Sequence, residues 1–270
     1  MKERGVGIVI AVLFLVSFAF LVTPAVADWH GGKALVIYKT WSPYAGWVQY
    51  NYKTSYNWDS FRAELKEQGW SVDYAKHVNS TLLSNYDALF VLTPSKNIPD
   101  DEAQAIINWV LDGGQLVITQ DWECCRGKYA NEITEPFGIK FEGGSFSYIN
   151  GFASHPVTTT PYSLSKVNGI TARRMKVSTP SREIGWFSNC IGKHCLLAVN
   201  DTAGEGVVVA IGDEYMWSDC QFDKADNEEL LDNILAYFRQ TCSVPEFTPL
   251  WLTIPVLGLL GMVFLLLRRG

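Results

Sequence analysis

Two long runs of this 270-residue chain lack charge, and basic residues are scarce between them. The runs span residues 5–22 and 250–267 and contain no Asp, Glu, Lys or Arg. Residues 28–242 hold 18 Lys and Arg against 26 Asp and Glu, a net charge of −8. Nucleic acid is excluded as a partner because phosphate binding needs a basic face. Aromatic residues make up 13% of the chain, which is enough to bury a core and excludes a disordered chain.

The N-terminal run has the features of a secretory signal peptide. Lys2 and Arg4 precede the apolar stretch, and the Ala-Val-Ala sequence at 25–27 supplies the small residues of a cleavage site. We therefore expect residues 1–27 to be a signal peptide. An uncleaved membrane anchor is the alternative, because the apolar stretch is long for a signal peptide.

The C-terminal run predicts a transmembrane helix at 250–267, since a helix needs roughly 18 to 20 apolar residues to cross the hydrocarbon. The basic end at 268–270 follows it and is expected to stay cytoplasmic. Residues 28–242 would then form an extracytoplasmic domain, joined to the helix by the linker 243–249. This places the domain at the cell membrane or the cell surface.

The linker contains the motif Pro245, Glu246 and Phe247. Motif, apolar helix and basic end together resemble the PEF-type C-terminal sorting signals of archaeal and bacterial surface proteins. The resemblance implies a membrane sortase as a partner, which cleaves near the motif and transfers the protein to a surface anchor. A plain single-pass anchor is the alternative, and both interpretations place the domain outside the membrane.

The cysteines fit an exported domain. All six lie within residues 28–242, and an even number in an oxidising compartment predicts disulfides. Cys190 and Cys195 are expected to close a small loop, and the other four allow three pairings. A zinc site that uses Cys190, His194 and Cys195 is the alternative. The six predicted disulfide residues are Cys124, Cys125, Cys190, Cys195, Cys220 and Cys242.

Apolar runs alternate with helical patterns along the middle of the chain, which is typical of a parallel sheet covered by helices. The pattern predicts a three-layer, doubly wound, mostly parallel α/β fold of the flavodoxin-like kind. Residues 124–183 are less regular and contain only short strand candidates. Predicted strands cover 33–38, 70–74, 87–92, 116–119, 196–199 and 206–211, and predicted helices cover 58–68, 99–112 and 225–239.

Four segments resemble the class I glutamine amidotransferase-like fold, including the trehalose-utilisation-like proteins. They are Tyr86–Val91, Trp109–Ile118, Ser154–Val157 and Gly212–Glu214. Catalytic members of that superfamily carry a nucleophilic Cys on a sharp turn between a strand and a helix. The stretch 119–125 contains no Gly-x-Cys-x-Gly sequence, so we expect the nucleophile to be absent.

Two residues could serve a hydrolase that works without a Cys nucleophile. His155 would act as the base, and Asp213 would be its partner at the end of an apolar strand, next to Glu214. The alternative is that His155 packs in a loop and Asp213 caps a turn. No metal is expected; a calcium site is the weaker alternative, with the ligands Asp213, Asp219, Asp223 and Asp226.

Residues 38–58 contain eight aromatic side chains in 21 positions and follow the first predicted strand. The carboxyl end of that strand is the edge where open sheets bind ligands. Exposed Trp and Tyr rings suit stacking on sugars or anchoring of a protein partner. The alternative is that the rings pack together and order a long loop. The predicted ligand-binding residues are Trp41, Tyr44, Trp47 and Tyr50.

The sequence therefore predicts an exported, anchored, amidotransferase-like domain that lacks its nucleophile and needs no cofactor. It would act as a binding or structural module at the cell envelope, with an envelope glycan or a surface protein as its partner. The alternative function is a hydrolase that acts on an envelope glycan or a small sugar.

Overall fold

The computed structural model describes residues 31–37, 58–94, 98–121 and 128–242. Among these residues, no helix is long and apolar enough to span a bilayer. Several predicted features lie outside them and stay predictions. These features are the signal peptide, Trp41, Tyr44, Trp47, Tyr50, Cys124, Cys125, the Cys242 side chain, the motif Pro245–Phe247 and the apolar run 250–267.

The most apolar segments form the parallel part of a large sheet. Numbered along the chain, its strands are β1 (Lys33–Ile37), β2 (Ser71–Ala75), β3 (Ala88–Val91), β4 (Gln115–Thr119) and β12 (Gly206–Ile211). They lie in the order β2-β1-β3-β4-β12, all parallel. Every residue of β3, β4 and β12 is buried, as expected for strands that are covered on both faces.

Helices cover both faces of these strands. They are α1 (Asp59–Glu67), α2 (Ser80–Leu83), α3 (Asp100–Leu111), α4 (Lys128–Thr134), α5 (Pro156–Thr159) and α6 (Asn227–Cys242). Side chains alternate between the two faces along a strand. Phe90 therefore packs in a core with Phe61 of α1, whereas Leu89 packs in a second core with Ile106 of α3. The predicted α/β architecture is confirmed for this part of the chain.

Local sequence explains where the two best-predicted helices begin and end. Helix α3 follows Pro99 and carries three acidic residues in its first turn, which complement the positive end of the helix dipole. Helix α1 is followed by Gly69, whose φ of +82° is a conformation that glycine adopts without strain. A Cβ at Gly31 would lie 2.1 Å from the Gly69 carbonyl oxygen, so the two backbones need this close approach.

An antiparallel extension continues the sheet beyond β12, and of its strands the sequence pattern predicted only the one at 196–199, which lies within Gly192–Ala203. Its strands β11, β10 and β7 follow β12 in that order, while β9 pairs with β11 and β5, and β6 and β8 form a separate two-stranded sheet. The predicted α/β fold with a large, mostly parallel sheet is confirmed, and the antiparallel strands extend this sheet on the β12 side. The added strands are β5 (Ile139–Phe141), β6 (Phe146–Ile149), β7 (Gly151–Phe152), β8 (Val167–Ala172), β9 (Met175–Val177), β10 (Arg182–Asn189) and β11 (Gly192–Ala203).

The cysteines whose side chains are described form no disulfide. Cys190, Cys195 and Cys220 are all free thiols, so the predicted bridge between Cys190 and Cys195 is wrong. Cys190 lies in the turn between β10 and β11, where Asn189 pairs with Gly192, and Cys195 lies farther along β11. Three residues of strand span about 10 Å, whereas the Cα atoms of a disulfide lie within about 7 Å.

Candidate functional site

A buried polar cluster gathers where the parallel strands end. Its members, which we name the strand-end cluster, are Thr93, Thr119, Asp121, Asp213 and Glu214. Each of them is at most 9% exposed. Val91 pairs with Ile118 in the sheet, and Ile211 pairs with Thr119, so β3, β4 and β12 end at the same edge. Open parallel sheets bind their ligands at this edge.

Thr93 links the strands through its backbone and its hydroxyl group. Its backbone N–H donates to Thr119 Oγ1 at 3.0 Å, and the two threonine Oγ1 atoms are 3.2 Å apart. The Thr93 hydroxyl also donates to Glu214 Oε2. Thr93 has a φ of +44°, which is strained for a β-branched residue. Such strain is found preferentially at functional sites.

Strand β8 closes the cluster from the other side. The Thr171 backbone N–H donates to Asp213 Oδ2 at 3.1 Å, and the Thr171 hydroxyl donates to Asp121. Asp213 Oδ1 accepts a second bond, at 2.8 Å, from the Tyr215 backbone N–H. A Cβ at Gly169 would lie 2.8 Å from Asp213 Oδ2, so β8 approaches this carboxylate closely. Asp213 therefore helps to hold β8 against the end of β12.

Glu214 has a perturbed acidity. Burial raises the pKa of the Glu214 carboxyl well above its usual range, and the charges of Asp213 and Asp121 raise it further. The hydrogen bond from Thr93 opposes this shift without reversing it. A carboxyl that keeps its proton beside two other carboxyls is the arrangement from which general acids are built.

The ring-rich segment 38–58 has both of its described ends at this edge. Ile37, which precedes it, pairs with Val91 at the end of β3. Trp58, which closes it, packs edge-on against Phe61, and Phe61 stacks on Trp217 at 5.5 Å. Trp217 belongs to the short 3-10 helix that directly follows Glu214. The contacts therefore fix the segment's two ends beside the strand-end cluster.

His155 lies in a second polar cluster, where its buried ring meets the partly buried Asp201 and Tyr237 and the exposed Arg182. The His155 ring is the N-cap of α5, and its Nδ1 accepts from the Val157 backbone N–H at 3.2 Å. Its Nε2 lies 3.4 Å from Asp201 Oδ2, which also accepts from Tyr237 Oη at 3.3 Å and from Arg182. Burial is the main cause that lowers the pKa of His155. We name this group the histidine cluster.

His155 and Asp213, which the sequence suggested as partners, lie at opposite edges of the sheet. Asp201 follows Asn200, which pairs with Val208 near the start of β12, whereas Asp213 lies beyond Ile211 at its end. The rise from Val208 to Ile211 is about 10 Å. The strand-end cluster contains Asp213, and the histidine cluster contains His155.

The alternative calcium ligands are also held apart. Asp219 accepts from the Ser60 backbone N–H at 2.9 Å, and Asp226 accepts from the Lys166 backbone N–H at 2.8 Å. Within the described ranges, no three His, Cys, Asp or Glu side chains are arranged to hold a metal ion. The alternative zinc site at Cys190, His194 and Cys195 is therefore not formed either, and the His194 ring packs against Phe146 at 4.6 Å.

The described thiols are poor nucleophiles. Burial raises the pKa of Cys195 to about 12, so its thiolate is scarce at neutral pH. The Cys220 Sγ lies 3.0 Å from Tyr215 Oη and 3.3 Å from Ser218 Oγ, with no basic partner among the described hydrogen bonds. Cys190 is exposed on the hairpin turn between β10 and β11.

Sequence reasoning named Asp213 and Glu214 but missed Thr93, Asp121 and Thr171. Asp121 could have been found, because it comes two residues after the fourth predicted strand, at the edge where ligands bind. Thr93 follows β3 in the same way. Thr171 could not have been found, since its strand β8 has no apolar pattern that predicts it.

Solved structures with the same fold have little sequence in common with this chain. The mmIFT52 N-terminal domain has a TM-score of 0.61 at 13% identity and covers 76% of this chain and 96% of its own. A ThuA-like protein from Bacteroides uniformis has a TM-score of 0.55 at 14% identity, covering 80% and 94%. The cytoplasmic protein STM1381 from Salmonella typhimurium has a TM-score of 0.56 at 16% identity, covering 76% and 99%.

These likenesses show the fold, and the fold is ThuA-like. No curated protein matches the chain. Residues 58–235 match the family model described as Domain of unknown function (DUF4350). That match begins at the end of the ring-rich segment and includes every member of the strand-end cluster. The chain belongs to the DUF4350 family.

Proposed function

We propose that the chain is an exported, surface-displayed binding module that holds an envelope glycan over the strand-end cluster. The anchoring of the ring-rich segment carries this proposal. Ile37, which precedes the segment, and Trp58, its last residue, lie at the edge where an α/β sheet binds its ligand, and we propose that the rings between them contribute to this site. Indole and phenol rings offer flat apolar faces with polar tips, which suit sugar rings.

Among the residues that the structure describes, none is a suitable thiol nucleophile at this edge, which supports binding rather than thiol chemistry. Strand β4 is followed by Gln120 and Asp121 and carries no Cys at its end. Of the described thiols, Cys195 is buried, Cys220 is hydrogen-bonded and Cys190 lies on an exposed hairpin turn. A ThuA-like sheet of this kind can therefore hold a ligand without attacking it.

Glycan binding can be tested with the full chain on an array of envelope polysaccharides. Trp41→Ala and Trp47→Ala should each weaken binding by about tenfold, the loss expected when an aromatic anchor is removed. Tyr162→Ala is the matched control, because Tyr162 is an aromatic residue of another loop and is 47% exposed. Equal binding by all three variants, or no binding by the wild type, would refute the proposal.

Surface display is part of the same proposal and has its own test. The charged start, the 25–27 cleavage site, the Pro245–Phe247 motif and the terminal arginines support it. Protease added to intact cells should digest the domain, and mass spectrometry should find a mature chain that starts at Asp28. A C-terminus near Pro245 would support sortase processing, whereas a retained Gly270 would support a plain anchor. A protected domain would contradict surface display.

The pKa of Glu214 favours a second candidate function, a hydrolase of an envelope glycan or small sugar. In this candidate, protonated Glu214 would be the general acid, with Asp121 or Asp213 as the second carboxyl group. Glu214→Gln should then lower hydrolysis by at least about a hundredfold, because an amide cannot donate an acidic proton. Unchanged reducing-end release by this variant would exclude the candidate.

A further inference from the structure

A cleft of about 530 Å³ opens at the opposite edge of the sheet, where the parallel strands begin. We name it the amino-edge cleft. It lies between the segments that precede β3 and β4 and the last turns of α3. The lining residues that matter here are Tyr86, Asp87, Asn108, Trp109, Asp112 and Gly114. The volume lies within the range of about 300 to 1,000 Å³ that is typical of small-molecule sites.

One wall of the cleft is aromatic, and its Trp109 ring packs directly against the backbone. A Cβ added to Gly114 would lie 2.2 to 2.5 Å from three atoms of the Trp109 ring, so the ring rests directly on this glycine. Tyr86 is held in place because its hydroxyl donates to Asp73 Oδ2 at 3.1 Å. These contacts fix two aromatic side chains at the cleft.

The charge of the cleft is negative and uncompensated. Asp87 and Asp112 line it, and the lining contains no Lys, Arg or His. Glu205 adds a further acid close by, since its backbone N–H donates to Leu111 O. None of the ion pairs within the described ranges involves Asp87, Asp112 or Glu205. A bound anion would be repelled here.

The hydrogen-bonding capacity that remains is mainly that of acceptors. Asp87 Oδ2 accepts one bond, from the Lys33 backbone N–H at 2.8 Å. No described hydrogen bond reaches the Asp112 carboxylate. A ligand that donates hydrogen bonds can therefore use both carboxylates. A positively charged donor also gains Coulomb energy from both carboxylates and from the ring faces, which a neutral donor does not.

We propose that the amino-edge cleft binds an aliphatic polyamine, with its ammonium groups on Asp87 and Asp112 and its methylene chain along Trp109. This site is independent of the glycan site, because it lies at the other end of the same strands. The binding of one ligand can therefore be lost while the binding of the other is kept.

Isothermal titration of the full chain with spermidine tests the proposal, with 1,4-butanediol as the uncharged probe. Asp112→Asn should weaken spermidine binding about fivefold or more, since it removes one charged acceptor. Trp109→Leu should weaken it about threefold, the size of an exposed cation–π contact. Asp101→Asn is the matched control: it removes an exposed acid from the same helix, about 16 Å away.

Saturable binding of spermidine that Asp112→Asn weakens and Asp101→Asn leaves intact would support the site. Equal weakening by both variants would mean non-specific charge attraction and would overturn it. Butanediol binding as tight as spermidine binding would overturn the charge argument. No saturation by about 10 mM spermidine would also overturn it, since such an affinity is weaker than a built site provides. Circular dichroism of each variant checks that the fold is kept.

Discussion

The two polar clusters of this domain differ in the charges that surround their carboxyl groups. In the histidine cluster, the Asp201 carboxylate is paired with Arg182 and hydrogen-bonded by Tyr237. Burial raises the pKa of Asp201, but Arg182 and His155 together lower it below its usual value. In the strand-end cluster, three carboxyls lie together and the pKa of Glu214 is raised. Opposite charges stabilise the first group, whereas like charges destabilise the second.

This difference is consistent with a structural role for the histidine cluster and with the ligand site that we propose at the strand-end cluster. Satisfied hydrogen bonds and a helix cap are what a structural cluster needs. Repelling acids and a strained backbone destabilise the fold, and proteins keep such features mainly where a function uses them. Substitutions in the two clusters should therefore change the free energy of unfolding in opposite directions.

The largest effect is expected for His155→Ala. It removes a helix cap, the contact with Asp201 and a ring that packs on Tyr237 at 5.0 Å. The free energy of unfolding should fall by about 3 kcal/mol. Urea unfolding followed by circular dichroism measures this, and glycan binding by the folded fraction should be unchanged. If the variant keeps the wild-type free energy of unfolding but loses hydrolysis of a glycan, His155 is a catalytic residue instead.

Glu214→Gln should change the free energy of unfolding in the opposite direction and raise it. The amide mimics the protonated carboxyl and removes a charge that Asp213 and Asp121 repel. At pH 8 the variant should be more stable than the wild type by about 1 to 2 kcal/mol. The same urea titration measures the change. Glu132→Gln is a control that removes a carboxylate outside both clusters.

A smaller increase in the free energy of unfolding is expected for Asp232→Asn on α6. Burial and the neighbouring Glu64 raise the pKa of Asp232 to about 7, and Gln68 Nε2 bridges the two carboxyls. The folded state therefore holds a proton that the unfolded state releases near pH 4, and wild-type stability falls as the pH rises from about 4 to 7. The variant should gain about 1 kcal/mol at pH 8, and the gain should vanish at pH 4. Equal gains at both pH values would contradict this.

The smallest effect on stability is expected for Arg182→Gln. Arg182 is 52% exposed, so its pair with Asp201 should contribute about 0.5 kcal/mol. The Arg182 charge also lowers the pKa of His155. The variant should therefore raise the pKa of His155, which proton NMR of the ring can follow. An unchanged histidine titration would mean that the two charges are not coupled.

The sequence predicted the parallel half of the fold well and the rest poorly. Strands β3, β4 and β12 are continuous apolar runs because both of their faces are buried, and such runs are easy to recognise. The extension consists of shorter or partly exposed strands whose partners depend on register. Register also explains the wrong disulfide, since spacing alone does not show that Cys190 lies in a turn and Cys195 in a strand.

Only part of the candidate site could be predicted from the sequence, because contacts between distant segments again leave no local pattern. Asp213 follows an apolar strand, so its position at the sheet edge could be inferred from the sequence. The true partner of His155 is Asp201, 46 residues away and two residues beyond the strand predicted at 196–199, and no local pattern joins them. The acidity of Glu214 depends on burial and on Asp121, which only the folded chain brings together.

The most direct test of the account is the pH dependence of the stability difference between Glu214→Gln and the wild type. The wild-type carboxyl is protonated in both states at low pH, so the two proteins should be nearly equally stable at pH 4. As the pH rises above about 4.5, the unfolded state releases the proton first, and the variant should become progressively more stable. A difference that stays constant from pH 4 to pH 8 would contradict the claim that the strand-end cluster holds a destabilised acid.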